Sequence, residues 1–169
     1  MGWRPPLFRI VRRAGVAALL ALAAARHIAF LADRRRIGRR AAALVGTDAA
    51  LARIHCSTSL AEATQKADLV VEAATENRQI KLELFRQLDQ LSPASCILAT
   101  NTSGLSITAM ANVLPEQLRS RFLGIHFFNP PRYMFLLELI PTEFTAPDVV
   151  DKLETFSASV VGKGVVRAY

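Results

Sequence analysis

The chain has 169 residues, 51% of them apolar, and a formal net charge of +7. That length and apolar content allow one buried core and exclude a disordered segment. The charge is not an average property: residues 1–40 hold ten arginines and one acid, Asp33, while residues 41–169 hold eleven basic against thirteen acidic residues.

The basic N-terminal quarter reads as a solvated arginine-rich segment. Nucleic-acid binding is not expected, because no aromatic stacking pattern and no zinc or RNA-binding motif accompanies the arginines. Within this quarter, "RIVRRAGVAALLALAAA" has the outline of a secretory signal. Its apolar run, Ala14 to Ala25, is too short to span a bilayer as a helix, so no membrane association is expected. Cys56 and Cys96 lie far apart and match no metal-ligand spacing. They read as reduced core thiols of a cytoplasmic protein, and no metal site is expected.

From about residue 52 the chain alternates strand and helix signals. "ARIHC" reads as a short strand, "SLAEATQKA" as a helix entered through a serine, and "DLVVEA" as a strand buried on both faces. "RQIKLELFRQLDQL" places Ile80, Leu84, Phe85, Leu88 and Leu91 on one helical stripe. "SCILAT" is a further buried strand, followed by the polar turn "NTSG" and a short helix, "LSITAMANVL", that stops at Pro115. "RFLGIHFF" and "FLLELI" are strands on either side of a proline turn. "TAPDVVDKLETFSASV" resembles a capping box at Thr145 with Pro147 in the first turn, and Val150, Leu153, Phe156 and Val160 form its buried stripe. "GVVRA" closes the chain as a strand.

Alternating units of this length predict an α/β protein with a doubly wound, mostly parallel sheet and helices on both faces. Ligands bind beyond the carboxyl ends of the strands in that architecture. Three polar clusters fall there: Glu72 to Asn77, Asn101 to Ser103, and His126 to Asn129. A turn over residues 129–134, centred near Arg132, would bring His126 opposite Glu138, because each lies six residues from the centre. A carboxylate beside an imidazole fixes the ring tautomer, as a histidine base requires. Taken alone, the two could equally be a buried pair that satisfies itself. Likewise Asn101, Thr102 and Ser103 suit ordinary turn chemistry, and Glu76 and Lys81 suit a solvated helix terminus.

Together, "ADLVVEAATENRQIKLELF", "ILATNTSGLSI", "GIHFFNPPRYMFLLELIP" and "GKGVV" resemble, in order and spacing, the NAD-binding domain of L-3-hydroxyacyl-CoA dehydrogenases. The Pro-Pro-Arg-Tyr turn is most similar to bacterial fatty-acid-oxidation members that carry a hydratase-like part. The resemblance covers about residues 48–168 and implies a Rossmann-like fold, incomplete at its N-terminal edge. It implies NAD as cofactor, an acyl-CoA substrate, and oxidation of L-3-hydroxyacyl-CoA to 3-ketoacyl-CoA in β-oxidation. By the same resemblance His126 is the catalytic base, Glu138 the acid that polarises it, and Ser103 a contact of substrate and nicotinamide, with Asn101 beside it on the substrate. Glu76, Lys81 and Asn129 match positions lining the dinucleotide.

Residues 1–47 match less well and read as a degenerate part of the dinucleotide fold, with residues 48–169 as its remainder. A Gly-x-Gly-x-x-Gly turn should hold the pyrophosphate. In "RRAGVAALLALAAARHIAFLAD" only Gly15 stands at such a position, and it reads equally as an incidental glycine in a helical run. "HIAFLAD" resembles the second strand, which puts Asp33 where the family places its ribose-binding acid; pairing with Arg34–Arg36 at the surface is the other reading. The family's C-terminal helical domain is not part of the chain, which ends at Tyr169. The expected partners are therefore a second copy or a complementing C-terminal domain. The rival expectation is a non-enzymatic Rossmann-like remnant that binds NAD weakly or not at all.

Overall fold

The computed structural model describes residues 7–12, 27–32, 54–57, 59–74, 76–129, 131 and 133–169. Among them eight strands form one sheet: β1 (Leu7–Arg12), β2 (His27–Ala32), β3 (Ile54–Ser57), β4 (Ala67–Ala73), β5 (Ile97–Thr100), β6 (Phe122–Phe127), β7 (Leu136–Ile140) and β8 (Gly164–Arg167). Their order is β3-β1-β2-β4-β5-β6-β7-β8. The run β2, β4, β5, β6 is parallel, β7 is antiparallel to β6, and β8 is parallel to β7.

Among the described residues five helices connect these strands: α1 (Leu60–Thr64), α2 (Arg78–Leu91), α3 (Ile107–Ala111), α4 (Glu116–Arg119) and α5 (Pro147–Ser159). The first three each start on a side-chain cap, Ser59, Asn77 and Ser106, whose oxygens accept the N–H of Glu62, Ile80 and Ala109. Alternation along each buried strand sends side chains to two cores. Val70, Leu98 and Phe122 pack with Leu84, Phe85 and Leu88 of α2 and with Met110 and Leu118 on one face. Leu69, Val71, Ala99, Leu123, Ile125, Leu137 and Leu139 pack with Val149 and Leu153 of α5 on the other. The strands β4 to β7 are thus covered on both faces, and the doubly wound, mostly parallel architecture read from the sequence is the one observed.

Four local expectations are corrected. Leu91 is 36% exposed and Ile80 is half-buried, while Lys81, which the stripe omitted, is buried. Thr145 does not cap α5: its hydroxyl donates to the Phe122 carbonyl at 2.8 Å and accepts the Thr142 N–H at 2.8 Å. The helix begins instead on Ala146, with Pro147 in its first turn and no side-chain cap, and it buries Val149 and Ser157 beside Val150 and Leu153. The N-terminal edge carries β1 and β3, and β1 runs antiparallel to both of its neighbours. The strand expected as the second of the dinucleotide fold, β2, lies directly beside β4, where a 3-2-1-4-5-6 order would place the first.

One glycine is required by close packing. A Cβ on Gly124 would lie 2.9 Å from the Ile140 Cβ and 3.1 Å from the Ile107 Cγ1, so β6, β7 and α3 meet at its bare backbone. Gly124→Ala is expected to destabilise the fold by about 1–3 kcal/mol through overpacking. Urea unfolding should show a lower midpoint at unchanged slope, and an unchanged midpoint would count against this packing.

Candidate active site

β6 and β7 pair with His126 directly opposite Glu138, the register expected from a turn centred on residue 132. The two side chains meet, His126 Nδ1 lying 2.9 Å from Glu138 Oε2. Ser103, in the turn after β5, places its Oγ 2.9 Å from His126 Nε2 on the other side of the ring. An ionised carboxylate can only accept, so Nδ1 carries the proton and Nε2 is left to accept the Ser103 hydroxyl. The Phe128 ring flanks the imidazole with centroids 4.8 Å apart. This chain of three groups can orient a hydroxyl and take its proton, with the imidazole 19% and the carboxylate 31% exposed.

The turn that carries Ser103 is braced from β4. Glu76, between β4 and α2, accepts the Thr102 hydroxyl on one oxygen and the Ser103 N–H on the other, the latter at 2.9 Å. Asn101 donates its N–H to the Glu72 carbonyl at 2.7 Å, and its Oδ1 accepts the Phe127 N–H at 2.9 Å. The ends of β4, β5 and β6 are thereby locked together, which brings the Glu76, Asn101–Ser103 and His126 clusters to one place. Asn129 is exposed in the turn that follows β6.

The "3-hydroxyacyl-CoA dehydrogenase, NAD binding domain" family matches residues 17–169. The chain belongs to this family. Its cofactor is accordingly NAD. It is similar to the "Probable 3-hydroxyacyl-CoA dehydrogenase" of Bacillus subtilis, with 41% identity over 108 residues, 64% of this chain and 14% of that protein. It is also similar to the human "Hydroxyacyl-coenzyme A dehydrogenase, mitochondrial", with 43% identity over 110 residues, 65% of this chain and 34% of that protein. Among solved structures, (S)-3-hydroxybutyryl-CoA dehydrogenase from Ralstonia eutropha superposes with a TM-score of 0.64 at 36% identity, covering 79% of this chain and 44% of that one. M. tuberculosis FadB2 gives 0.67 at 32% identity, over 79% and 45%. The chain thus spans at most about a third of these two relatives and under half of each structure.

For an NAD-binding domain of this family, the described residues at the strand ends carry groups chemically suited to the cofactor. Glu76 carries a carboxylate, Ser103 a hydroxyl and Asn129 an exposed amide, donor and acceptor types of the kind that ribose hydroxyls and a carboxamide bond. Gly15 and Asp33, expected at the pyrophosphate and the ribose, lie outside the described residues. Lys81 differs from a ligand-facing lysine. It is 1% exposed, and its Nζ lies 2.8 Å from both oxygens of Glu72. The cause is helical phase: the fourth residue of α2 faces the sheet, where Glu72 points to the same side. Among the described residues no group of three or more His, Cys, Asp or Glu side chains could hold a metal, and no helix is long and apolar enough to cross a membrane.

Sequence reasoning took Glu72 only as the start of a polar strand-end cluster and passed over Thr100. Glu72 is fully buried, accepting the Thr100 hydroxyl at 2.6 Å and the Ala74 N–H at 2.6 Å besides Lys81. An acid inside the β-branched run "DLVVEA" was the available signal, since a buried carboxylate needs partners. Lys163 was also passed over. Gly162, at φ +74°, turns the chain after α5, and Lys163 then donates to the Pro131 and Met134 carbonyls, pinning the β6–β7 turn. Burial lowers the Lys163 pKa below its ordinary value. Burial also pushes the free Cys96 thiol up to about 12, which makes it an inert core group.

Two outcomes are expected. Lys81→Met leaves Glu72 buried without its cation and should cost about 3–5 kcal/mol of stability in chemical denaturation. A loss under 1 kcal/mol, on the order of one exposed ion pair, would contradict the pairing. Burial alone would raise the Glu76 carboxyl, but the Thr102 hydroxyl, the Ser103 N–H and the nearby Lys81 together hold it below its ordinary 4.5. A depressed folded-state value means the stabilisation is complete above about pH 4.5 and is lost as pH falls through the lowered value. Melting curves across that acidic range should therefore slope less steeply with pH in Glu76→Gln than in the wild type, and parallel slopes would argue against the clamp.

Proposed function

We propose that this chain is the NAD-binding, acid–base part of an L-3-hydroxyacyl-CoA dehydrogenase, oxidising L-3-hydroxyacyl-CoA to 3-ketoacyl-CoA in fatty-acid β-oxidation. The observation that carries this reading is the Ser103–His126–Glu138 hydrogen-bonded chain at the carboxyl ends of β5 and β6. The names of the relatives support the substrate class.

His126 acts as the base, its Nε2 taking the proton of the C3 hydroxyl while Glu138 holds the other ring nitrogen and steadies the imidazolium that forms. Ser103 donates its hydroxyl to the reacting oxygen, and Asn101 keeps the ends of β5 and β6 in register beneath it. NAD⁺, when bound, supplies the acceptor for the C3 hydride. Glu76 and Asn129 line the nicotinamide end, with Gly15 at the pyrophosphate and Asp33 at the ribose. Lys81 contributes through Glu72 and through its field at Glu76. Met134 and Phe135 (77% exposed) precede the strand that carries Glu138, and exposed Leu136 opens it. This apolar surface supports a covering partner, either a second copy or a complementing C-terminal domain. The buried, free Cys96 thiol suits a cytoplasmic, reducing setting.

Consumption of NADH with acetoacetyl-CoA tests the activity: His126→Ala should be slower than the wild type by about 10²- to 10⁴-fold. Equal rates would sink the assignment. A second reading, a remnant that does not bind NAD, is favoured by the single glycine at position 15 and by the antiparallel β1. Calorimetric titration with NAD⁺ separates the two, because micromolar binding removes the remnant.

A further inference from the structure

The Ser103 hydroxyl reaches His126 from an exposed residue of the turn after β5. Asn101 fixes the near side of that turn through the Glu72 carbonyl and the Phe127 N–H. On the far side, a Cβ at Gly104 would meet nothing within 4 Å, so no side-chain packing holds the chain at that residue. Glu76 supplies the missing restraint. One of its oxygens accepts the Thr102 hydroxyl and the other the Ser103 N–H, so a single carboxylate grips two consecutive residues. The acid is itself anchored, because the next residue, Asn77, caps α2 by accepting the Ile80 N–H.

The same device occurs two residues earlier. Glu72 accepts the hydroxyl of Thr100, the last residue of β5, two residues before Thr102. An acid of β4 and one in the turn after it thus hold the last residue of β5 and a threonine in the turn that follows. The inner acid is neutralised by buried Lys81, and the outer one lies at the surface next to Ser103. The inner clamp serves the fold. The outer one serves the geometry of a single hydroxyl.

We propose that Glu76 is a positioning residue for the acid–base pair, acting through the Ser103 turn to hold the Ser103 hydroxyl on His126 Nε2. This role is separate from any contact Glu76 makes with the cofactor. It deepens the dehydrogenase reading and rests on it only where turnover is concerned. Without the clamp, water satisfies the freed N–H of exposed Ser103, while the buried Thr102 hydroxyl loses its acceptor and the Ser103 hydroxyl drifts. A shift of about 1 Å at such a group is enough to cost about 100-fold in rate.

The test uses the full chain and nitrogen-15 NMR of the His126 ring in wild type, Glu76→Gln and Ser103→Ala. Glu76→Gln should move the Nε2 resonance in the same direction as Ser103→Ala, while the Nδ1 resonance, bonded to Glu138, stays in place. A wild-type Nε2 resonance in Glu76→Gln overturns the proposal. Thr102→Val, which removes only the hydroxyl half of the clamp, covers the case in which Glu76→Gln does not fold. It should give a smaller displacement of the same sign, and no displacement overturns the proposal equally. With acetoacetyl-CoA, Glu76→Gln should lower kcat by about 10- to 100-fold and change the KM for NADH little. A higher KM for NADH at unchanged kcat would leave Glu76 as a cofactor contact only and contradict positioning. If the wild type does not turn over, the dehydrogenase reading fails while the NMR result still decides this proposal.

Discussion

The antiparallel register of β6 and β7 is the constraint on which the site depends. Opposed residues on neighbouring strands stand close enough for an imidazole and a carboxylate to bond, and residues 126 and 138 are opposed. A slip of one residue would turn one of the two to the other face of the sheet. A slip of two would separate them by about 7 Å along the strand. The register is held from both ends. At the base, bare Gly124 meets Ile140 and Ile107, a fit that no neighbouring residue could reproduce. At the tip, Lys163 reaches from the loop after α5 to the carbonyls of Pro131 and Met134.

The adjacent strands extend this control across the sheet. Val70, Leu98 and Phe122 form an apolar rung, and the next rung, Glu72, Thr100 and Gly124, is polar and closely packed. Burying Glu72 is costly unless every lone pair finds a donor, and Lys81, Thr100 and the Ala74 N–H provide them. That rung fixes the height at which β4 and β5 end. The residues just beyond it, Glu76, Ser103 and His126, converge because their strands stop together. The rigid, apolar part of the sheet and the hydrogen-bonded turns above it are one continuous structure, with chemistry confined to its open end.

Much of this was legible in the sequence because it depends on local pattern. The helix over 78–91 and the strands around Val70, Leu98 and Ile125 follow from periodicity and from Pro, Asn and Ser punctuation. Even the opposition of His126 and Glu138 follows from counting outward from a turn. What escaped was non-local. Lys81 reads as a surface lysine until α2 is docked on β4 and Glu72 is found beneath it. Thr145 reads as a helix cap until the Phe122 carbonyl is found above it. β1 could not be read at all: "LFRIVR" lies among arginines, and its antiparallel pairing with β2 and β3 depends on partners distant in the chain.

Whether His126 and Glu138 work as one unit is the central claim, and a double-mutant cycle on turnover addresses it most directly. NADH oxidation with acetoacetyl-CoA would be compared for the wild type, His126→Ala, Glu138→Ala and the double variant. If Glu138 acts only by orienting and polarising His126, the double variant should be no slower than His126→Ala alone. Losses that multiply, or a Glu138→Ala chain as fast as the wild type, would contradict the account.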